Sequence, residues 1–501
     1  MKTLLILGHP RQDSFCHALA DAYEEGARNS GADLRRLNLS ELEFEQNVEF
    51  RQPQSQHREP DIVRSLEWIK WADHLVFVYP VWWGMMPALL KGFLDRTFLP
   101  GFAFYEAIPG DYRGLLHNRT AQLLVAMDTP AFIHKLLNKA PAENAMKTAT
   151  LGLCGIGPTK TRYFSPITHS TAAQREKWLQ EAKILGARST EGVATPWDMF
   201  RLSATPWLKA LRLQFYPMTF VAFMAGAFAA TYSGGHISWL KFLLSYAVIF
   251  LIEVMAVFIN EYEDLKADAV NRLYGPFNGG SRVLVNKEIA PEKMAGTLKW
   301  VVTAIMGLSA LAIWLAGTNA FALYIAIAVT FFLAAAYTLP PLKFSYRTLG
   351  ELTVGITHSI CVIMIGYLAQ GGSPTGTLPW LIGLPLFMSI LPSITMSNVP
   401  DRLADAYVNK KTIAVRFGPN AAAWFALVTT WLALALAAWV FSKSSLVYSW
   451  VIFLAVPHAI LLSIELRRFI RYKNKPGTIN KLMVLALTYM MWFVIVPVFV
   501  L

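Results

Sequence analysis

Two kinds of hydrophobic periodicity divide the chain. Up to about residue 190, short apolar runs alternate with amphipathic stretches: TLLILG (3–8), SFCHALADAYEEGA (14–27), LRRLNL (34–39), DIVRSLEWIKWAD (61–73), HLVFVYP (74–80), PALLKGFLDRTF (87–98) and AQLLVAM (121–127). Buried strands alternating with helices predict a doubly wound parallel α/β sheet covered on both faces. From 213 onward the pattern changes to long apolar runs separated by short polar loops. Nine of them, near 214–233, 238–260, 298–317, 320–338, 351–370, 378–397, 421–441, 446–465 and 481–501, are long enough to cross ~30 Å of hydrocarbon. The second half is therefore expected to be an all-α polytopic membrane domain of nine transmembrane helices. The expected domains are 1–190, a linker with an interfacial helix at 191–212, and 213–501. In the junction GARSTEGVATPWDMFRLSATPWLKALRLQFYP (186–217), Trp197 and Trp207 are placed at headgroup depth.

Composition sharpens this picture. Of 501 residues, 54% are hydrophobic and 16% charged, which lies outside the range of ordinary soluble chains. The net charge of +12 does not imply a nucleic-acid partner, because Lys and Arg concentrate in the loops on one side of the spans. The opposite loops hold only Lys241 and Lys443. By the positive-inside rule the N-terminal domain is cytoplasmic, on a multi-pass protein of the cell (inner) membrane. The opening MKTLLILGHPRQDSF has too short an apolar core for a signal peptide, is broken by His9-Pro10, and reads as a first buried strand. Cys16, Cys154 and Cys361 are scattered and offer neither a disulfide framework nor a metal spacing.

Candidate chemistry follows the second span, where NEYEDLKADAVNR (260–272) concentrates carboxylates at a membrane edge. Asn260, Asp264 and Asp268 fall at i, i+4 and i+8, on one helical face. A second cluster, NVPDRLAD (398–405), puts Asn398, Asp401 and Asp405 at i, i+3 and i+7 on the same side of the membrane. Either these are two solvated helix ends, or they form a facing set of hard oxygen ligands suited to Mg²⁺ and a substrate phosphate.

The paired clusters resemble the Asp-rich motifs of the UbiA family of intramembrane aromatic prenyltransferases. So do GPFNGGSRVL (275–284), YTLPPLKFSYRTLGEL (337–352) and KKTIAVRFG (410–418). Glu261 stands where that family more often has Asp. The resemblance implies Mg²⁺ held by Asp264, Asp268, Asp401 and Asp405, with Asn260, Asn398 and Lys343 completing the catalytic set. It also implies a prenyl diphosphate held by Arg272, Ser281, Arg282 and Lys343, with backbone N–H groups of the Gly279-Gly280-Ser281 turn on the same oxygens. The metal would neutralise the leaving diphosphate so that an aromatic or quinone-like acceptor takes the isoprenyl chain. Tyr337 either lines the mouth or anchors at the interface. Glu253, seven residues before Asn260, either orients an acceptor hydroxyl or bonds a neighbouring helix. His358 is expected as a helix–helix contact.

In the first half, GHPRQDSFC (8–16) and YPVWWGMMPALLKGFLDRTFLPGFAF (79–104) resemble the flavodoxin-like NAD(P)H:quinone reductases. The Gly-x-Gly-x-x-Gly dinucleotide fingerprint is absent from the first loop. The resemblance implies FMN or FAD, its phosphate near His9, Ser14, Phe15 and Cys16 and its ring against Pro80, Val81, Trp82, Trp83 and Gly84. NADH or NADPH would supply hydride for a quinone, and there is room for a homodimer through this domain. Trp82-Trp83 otherwise serve packing or partner contact. MDTPAF (127–132) replaces a loop often rich in glycine in those enzymes. Together the halves imply a bifunctional enzyme. The competing reading is a quinone reductase or redox sensor on a non-catalytic, lipid-quinone-binding anchor.

Overall fold

Strand β1 (Lys2–Leu7) is buried from its second residue onward, and β3 (His74–Pro80) is buried throughout, as central strands covered on both faces must be. With β2 (Asp33–Asn38), β4 (Thr120–Ala126) and β5 (Thr159–Phe164) they form one sheet in the order β2-β1-β3-β4-β5, every pairing parallel. The computed structural model describes residues 1–108, 111–191, 196–232, 236–275, 277–443, 451–472 and 478–500, and the chain divides into two units, Met1–Leu202 and Ser203–Leu501. In the first unit, α2 (Pro60–Trp71) and α3 (Ala88–Thr97) cover one face of the sheet. Helices α1 (Phe15–Asn29) and α4 (Ala172–Ala187) cover the other. These two cross at glycines. A Cβ on Gly26 would collide with the Lys183 carbonyl, and one on Gly186 with that of Tyr23.

The second unit is helical: α5 (Tyr216–Thr231), α6 (Trp239–Glu263), α7 (Leu265–Val270), α8 (Pro291–Leu315), α9 (Ala320–Ala336), α10 (Gly350–Ala369), α11 (Leu378–Tyr407), α12 (Ile413–Lys443), α13 (Val451–Tyr472) and α14 (Thr478–Val500). Among the described residues, eight helices are long and apolar enough to cross a membrane, against nine expected spans. The remaining span corresponds to α13, whose second half carries Glu465, Arg467, Arg468 and Arg471, and its expected start at 446–450 lies outside the described residues.

Three local features shape the unit. Gly226 of α5 and Gly366 of α10 let two backbones touch, since a Cβ on either would strike the Ile363 or Phe223 carbonyl. A π-helical turn at Thr357–Cys361 interrupts α10. Helix α11 contains Pro385, Pro392 and Pro400, each lacking the N–H that would bond four residues back. Hydroxyls of Ser389, Ser393 and Ser397 donate to the carbonyls of Leu386, Ile390 and Ile394 along the same helix. The helix expected at the interface, Pro196–Leu211, ends packed rather than free: Ala210 is buried, and Trp207 lies 5.8 Å from Phe258 of α6. Trp197 is exposed and stacks on Phe200. Residues 192–195 of the linker are outside the described set.

Candidate functional site

Helix α6 ends inside the first acidic cluster, with Asp264 as its cap, yet the helical phase survives because α7 follows at once. The Asp264 amide donates to the Asn260 carbonyl at 2.9 Å, and the Asp268 amide to that of Asp264 at 2.9 Å. Asn260, Asp264 and Asp268 therefore face one cavity, and Glu261 lines it too. Asn398, Asp401 and Asp405, on the last turns of α11, line the same cavity of about 280 Å³. The wall away from the carboxylates is apolar, with Ile249, Ile252, Val362, Ile390, Leu487 and Met490.

Lys410 lies among these acids. Its ammonium is 2.6 Å from Asp264 Oδ2 and 3.7 Å from Asp405 Oδ1. Burial opposes its charge, but Asp264 and Asp405 outweigh that and hold its pKa well above the ordinary lysine value. Tyr346 donates its hydroxyl to Asp264 Oδ1 at 3.0 Å. Asp401 accepts from Asn271 at 2.8 Å, from Asn278 at 2.9 Å and from the Gly279 N–H at 3.0 Å. Glu261 accepts from the Ser281 N–H at 2.9 Å. Asp268 stands against Gly280, where a Cβ would collide with its carboxylate. Burial, with Asp264, Glu261 and Asp401 close by, pushes the Asp268 carboxyl up to about 8. Asn398 donates to Glu351 at 3.1 Å, and the Asn260 Oδ1 is buried without a partner.

The expected diphosphate ligands are placed differently. In this structure the Gly279 and Ser281 N–H groups of that turn donate to Asp401 and Glu261. Arg282 bonds the Asp268 carbonyl at 2.6 Å and stacks on Tyr274 at 4.0 Å. Arg272 is exposed and Lys343 pairs with Glu263 at 3.0 Å; neither lines the carboxylate cavity. Among the described residues, the Lys and Arg side chains that line it are Lys410 and Arg212, to which sequence reasoning gave no role in binding. Lys410 lies in the KKTIAVRFG stretch, so the signal was present without a role attached. Tyr337 lines the cavity, as do Glu253 and His358 in its apolar part. Glu253 accepts from Thr219, its Oε1 is 3.4 Å from His358 Nε2, and its Oε2 is buried without a partner. His358 thus makes the expected contact between helices, α10 to α6, and also lines the cavity.

The donor set suits a hard divalent cation, since crowded carboxylates gain most from one. Among the described residues, however, no three Asp, Glu, His or Cys side chains converge tightly enough to hold an ion by themselves. Such a site fits Mg²⁺ taken by one or two carboxylates each, with phosphate oxygens and water completing the shell.

In the first unit, the two loops expected to hold a flavin meet at the carboxyl end of the sheet, where His9 and Trp82 pack edge to face at 5.4 Å. Ser14 caps α1, whose first turn has no acidic residue, and the early amides of a helix have no intrahelical acceptor. That end fits a phosphate. Phe15 packs on Trp178, and burial pushes the Cys16 thiol up to about 12, so both can meet a phosphate only through their backbone. Pro80 ends β3, and the Val81 N–H donates to Ala126 at 2.8 Å. Trp82 and Met85 exchange backbone bonds around Trp83 (φ 51°) and Gly84 (φ 74°), a tight turn that leaves Trp83 fully exposed. The loop at 127–132 is tied down by Asp128, which accepts from the Thr168 N–H at 2.7 Å. Sequence reasoning missed the buried His134–Glu143 pair, 2.8 Å apart.

Comparison with known proteins places both halves. Residues 219–496 match the UbiA prenyltransferase family, and residues 1–184 match a family described as flavodoxin-like fold. An NAD(P)H oxidoreductase of Haemophilus influenzae is 29% identical over 172 residues, covering 33% of this chain and 85% of that protein. An NAD(P)H dehydrogenase [quinone] 1 of Cavia porcellus is 26% identical over 178 residues, covering 31% of this chain and 64% of its own length. A solved digeranylgeranylglyceryl phosphate synthase shares 17% identity, covering 60% of this chain and 98% of its own, at a TM-score of 0.43.

Proposed function

The chain belongs to the UbiA prenyltransferase family through residues 219–496, fused to a flavodoxin-like NAD(P)H oxidoreductase domain, and on that premise we propose that it prenylates an aromatic, quinone-like acceptor that its first domain reduces. The observation that carries this reading is the single cavity with both acidic clusters at one end and an apolar wall at the other. A prenyl diphosphate has the same polarity.

Asp264, Asp268, Asp401 and Asp405 are the residues that would hold Mg²⁺, which when bound neutralises charge on the leaving diphosphate. Lys410 supplies a fixed positive charge beside them, in a buried setting where it acts strongly. Tyr346 fixes the orientation of Asp264, and the Asn271–Asn278–Gly279 donors fix that of Asp401. The apolar wall keeps water from an allylic cation. Transfer breaks the allylic C–O bond, whose electron pair leaves with the diphosphate; an aromatic carbon supplies the pair for the new C–C bond, and its proton is lost. Glu253, with His358 beside it, accepts a hydrogen bond from the acceptor's hydroxyl.

The test is Mg²⁺-dependent release of diphosphate from a prenyl diphosphate by purified protein. Asp264→Asn and Asp401→Asn should each abolish it while the protein still inserts; undiminished turnover in both overturns the assignment. The anchor reading instead predicts quinone binding with no diphosphate released from any donor.

Ser14, the first-turn amides of α1 and the Trp82–Gly84 turn are the groups that would hold FMN or FAD, which when bound passes hydride from NADH or NADPH to a quinone. Reduction suits prenylation, because a hydroquinone ring is electron-rich and a quinone ring is not. With an oxidised acceptor, prenyl transfer should require NAD(P)H and be lost in Trp82→Ala/Trp83→Ala. Equal rates with and without NAD(P)H would reject that order. We place the first domain on the cytoplasmic side by loop charge, and a homodimer through it remains part of this reading.

A further inference from the structure

Next to the carboxylate cavity lies a second recess, formed by the loop after α9 and the loop joining α11 to α12. Lys343, Arg347, Lys411 and Arg416 line it, together with Tyr346 and Asn409. The two loops are fastened to each other. The Lys411 N–H donates to the Tyr346 carbonyl at 3.3 Å, Thr348 donates its hydroxyl to the Lys411 carbonyl at 2.7 Å, and Arg347 holds the Pro341 carbonyl at 2.8 Å. Lys343, Thr348 and Asn409 adopt φ of 44°, 63° and 59°, a conformation that side-chain-bearing residues rarely take. The recess is therefore built, not a chance gathering of surface lysines.

Its charge is unbalanced. Among the described residues, Glu263 on Lys343 is the one carboxylate paired with these four cations. Clustered cations with convergent N–H donors favour an anion with several oxygens. Tyr346 of the recess reaches a carboxylate of the cavity. Tyr346 turns its hydroxyl to Asp264 on one side, while its ring lies 4.9 Å from Lys343 and 5.7 Å from Lys410. The consecutive Lys410 and Lys411 divide between the two compartments, the first buried on Asp264 and the second exposed in the recess.

We propose that this recess is a second phosphate-binding site, which receives the inorganic diphosphate as it leaves the carboxylate cavity past Tyr346. The exit role rests on the prenyl-diphosphate reading above; the anion site itself does not. A diphosphate left among five carboxylates is repelled as soon as its cations go, and Lys410 followed by the recess offers it successive positive charges. The headgroup of an anionic lipid presents the same phosphate oxygens, and the experiment separates the two sources.

Full-length protein in neutral detergent is titrated calorimetrically with inorganic diphosphate in the absence of divalent metal. Binding should weaken at least tenfold in Lys411→Ser/Arg416→Ser and hold in Asp264→Asn/Asp401→Asn. Size exclusion and thermal unfolding matched to the parent exclude a folding defect. As a second measurement, inhibition of prenyl transfer by added diphosphate should weaken by the same factor in the double variant. Diphosphate binding unchanged in that variant overturns the site. Variant-sensitive binding to nanodiscs containing phosphatidylglycerol but not to diphosphate overturns the exit role and assigns the recess to lipid. Diphosphate bound at the recess by a protein that releases none from prenyl diphosphates supports the site while rejecting prenyl transfer.

Discussion

Lys410 is the buried cation on which the first acidic cluster is centred. Its removal leaves the buried Asp264 without that counter-charge, which costs about 3–5 kcal/mol when one partner of a buried pair is lost. Lys410→Met should lower stability toward that figure in equilibrium unfolding and cut Mg²⁺-dependent turnover by roughly two orders of magnitude. A turnover within a few-fold of the parent would show that it serves stability alone. Glu253 acts farther along the cavity. Glu253→Gln should raise KM for the acceptor and leave that for the prenyl diphosphate unchanged, and a shift in both would remove it from the acceptor end. The six Asn and Asp positions of the two clusters were legible from spacing, because helical phase is a local property. Lys410 and Tyr346 were not, since they meet Asp264 from 146 and 82 residues away. The same distance hides why Gly279, Gly280 and Ser281 matter: the Gly279 and Ser281 amides bond Asp401 and Glu261, and the absent Cβ of Gly280 makes room for Asp268. Lys343 was assigned by charge and by resemblance, neither of which tells a cavity from the recess beside it.

Helices meet in this protein where glycine lets them. At the α5–α10 crossing, Gly226→Leu forces two backbones apart and should cost roughly 1–3 kcal/mol, read by thermal unfolding in detergent. Gly307→Leu is the control, because nothing lies within 4 Å of a Cβ there. Equal effects from both would mean the crossing is loose. Helix α11 carries the second acidic cluster beyond Pro385 and Pro392 and around Pro400, so its backbone ladder lacks rungs on the way to the site. Sequence periodicity found the long apolar helices and the central strands. It missed β5, whose TKTRYF pattern is polar because an edge strand is only partly covered, with Phe164 alone fully buried. It ended the eighth span at residue 465 and gave Arg467, Arg468 and Arg471 to the following loop, whereas α13 runs through them to Tyr472.

Joining two domains on one chain fixes their ratio and raises the concentration of each at the other. Short flexible tethers give millimolar-order values. Expressed as separate polypeptides, the halves should each keep their own activity, while NAD(P)H-driven prenylation of an oxidised acceptor falls at low acceptor concentration. An unchanged rate in a membrane assay of the split pair would show that the acceptor travels freely between them. The order of the units has a further consequence, for biosynthesis. The α1–α4 clasp at Gly26 and Gly186 closes the first unit using only residues that precede the first apolar helix. Translation therefore delivers every part of the sheet before any membrane helix is complete, and N-terminal domains tend to fold first as they emerge. The nascent chain can finish one protein in water while the machinery that inserts the other is still waiting for its first signal.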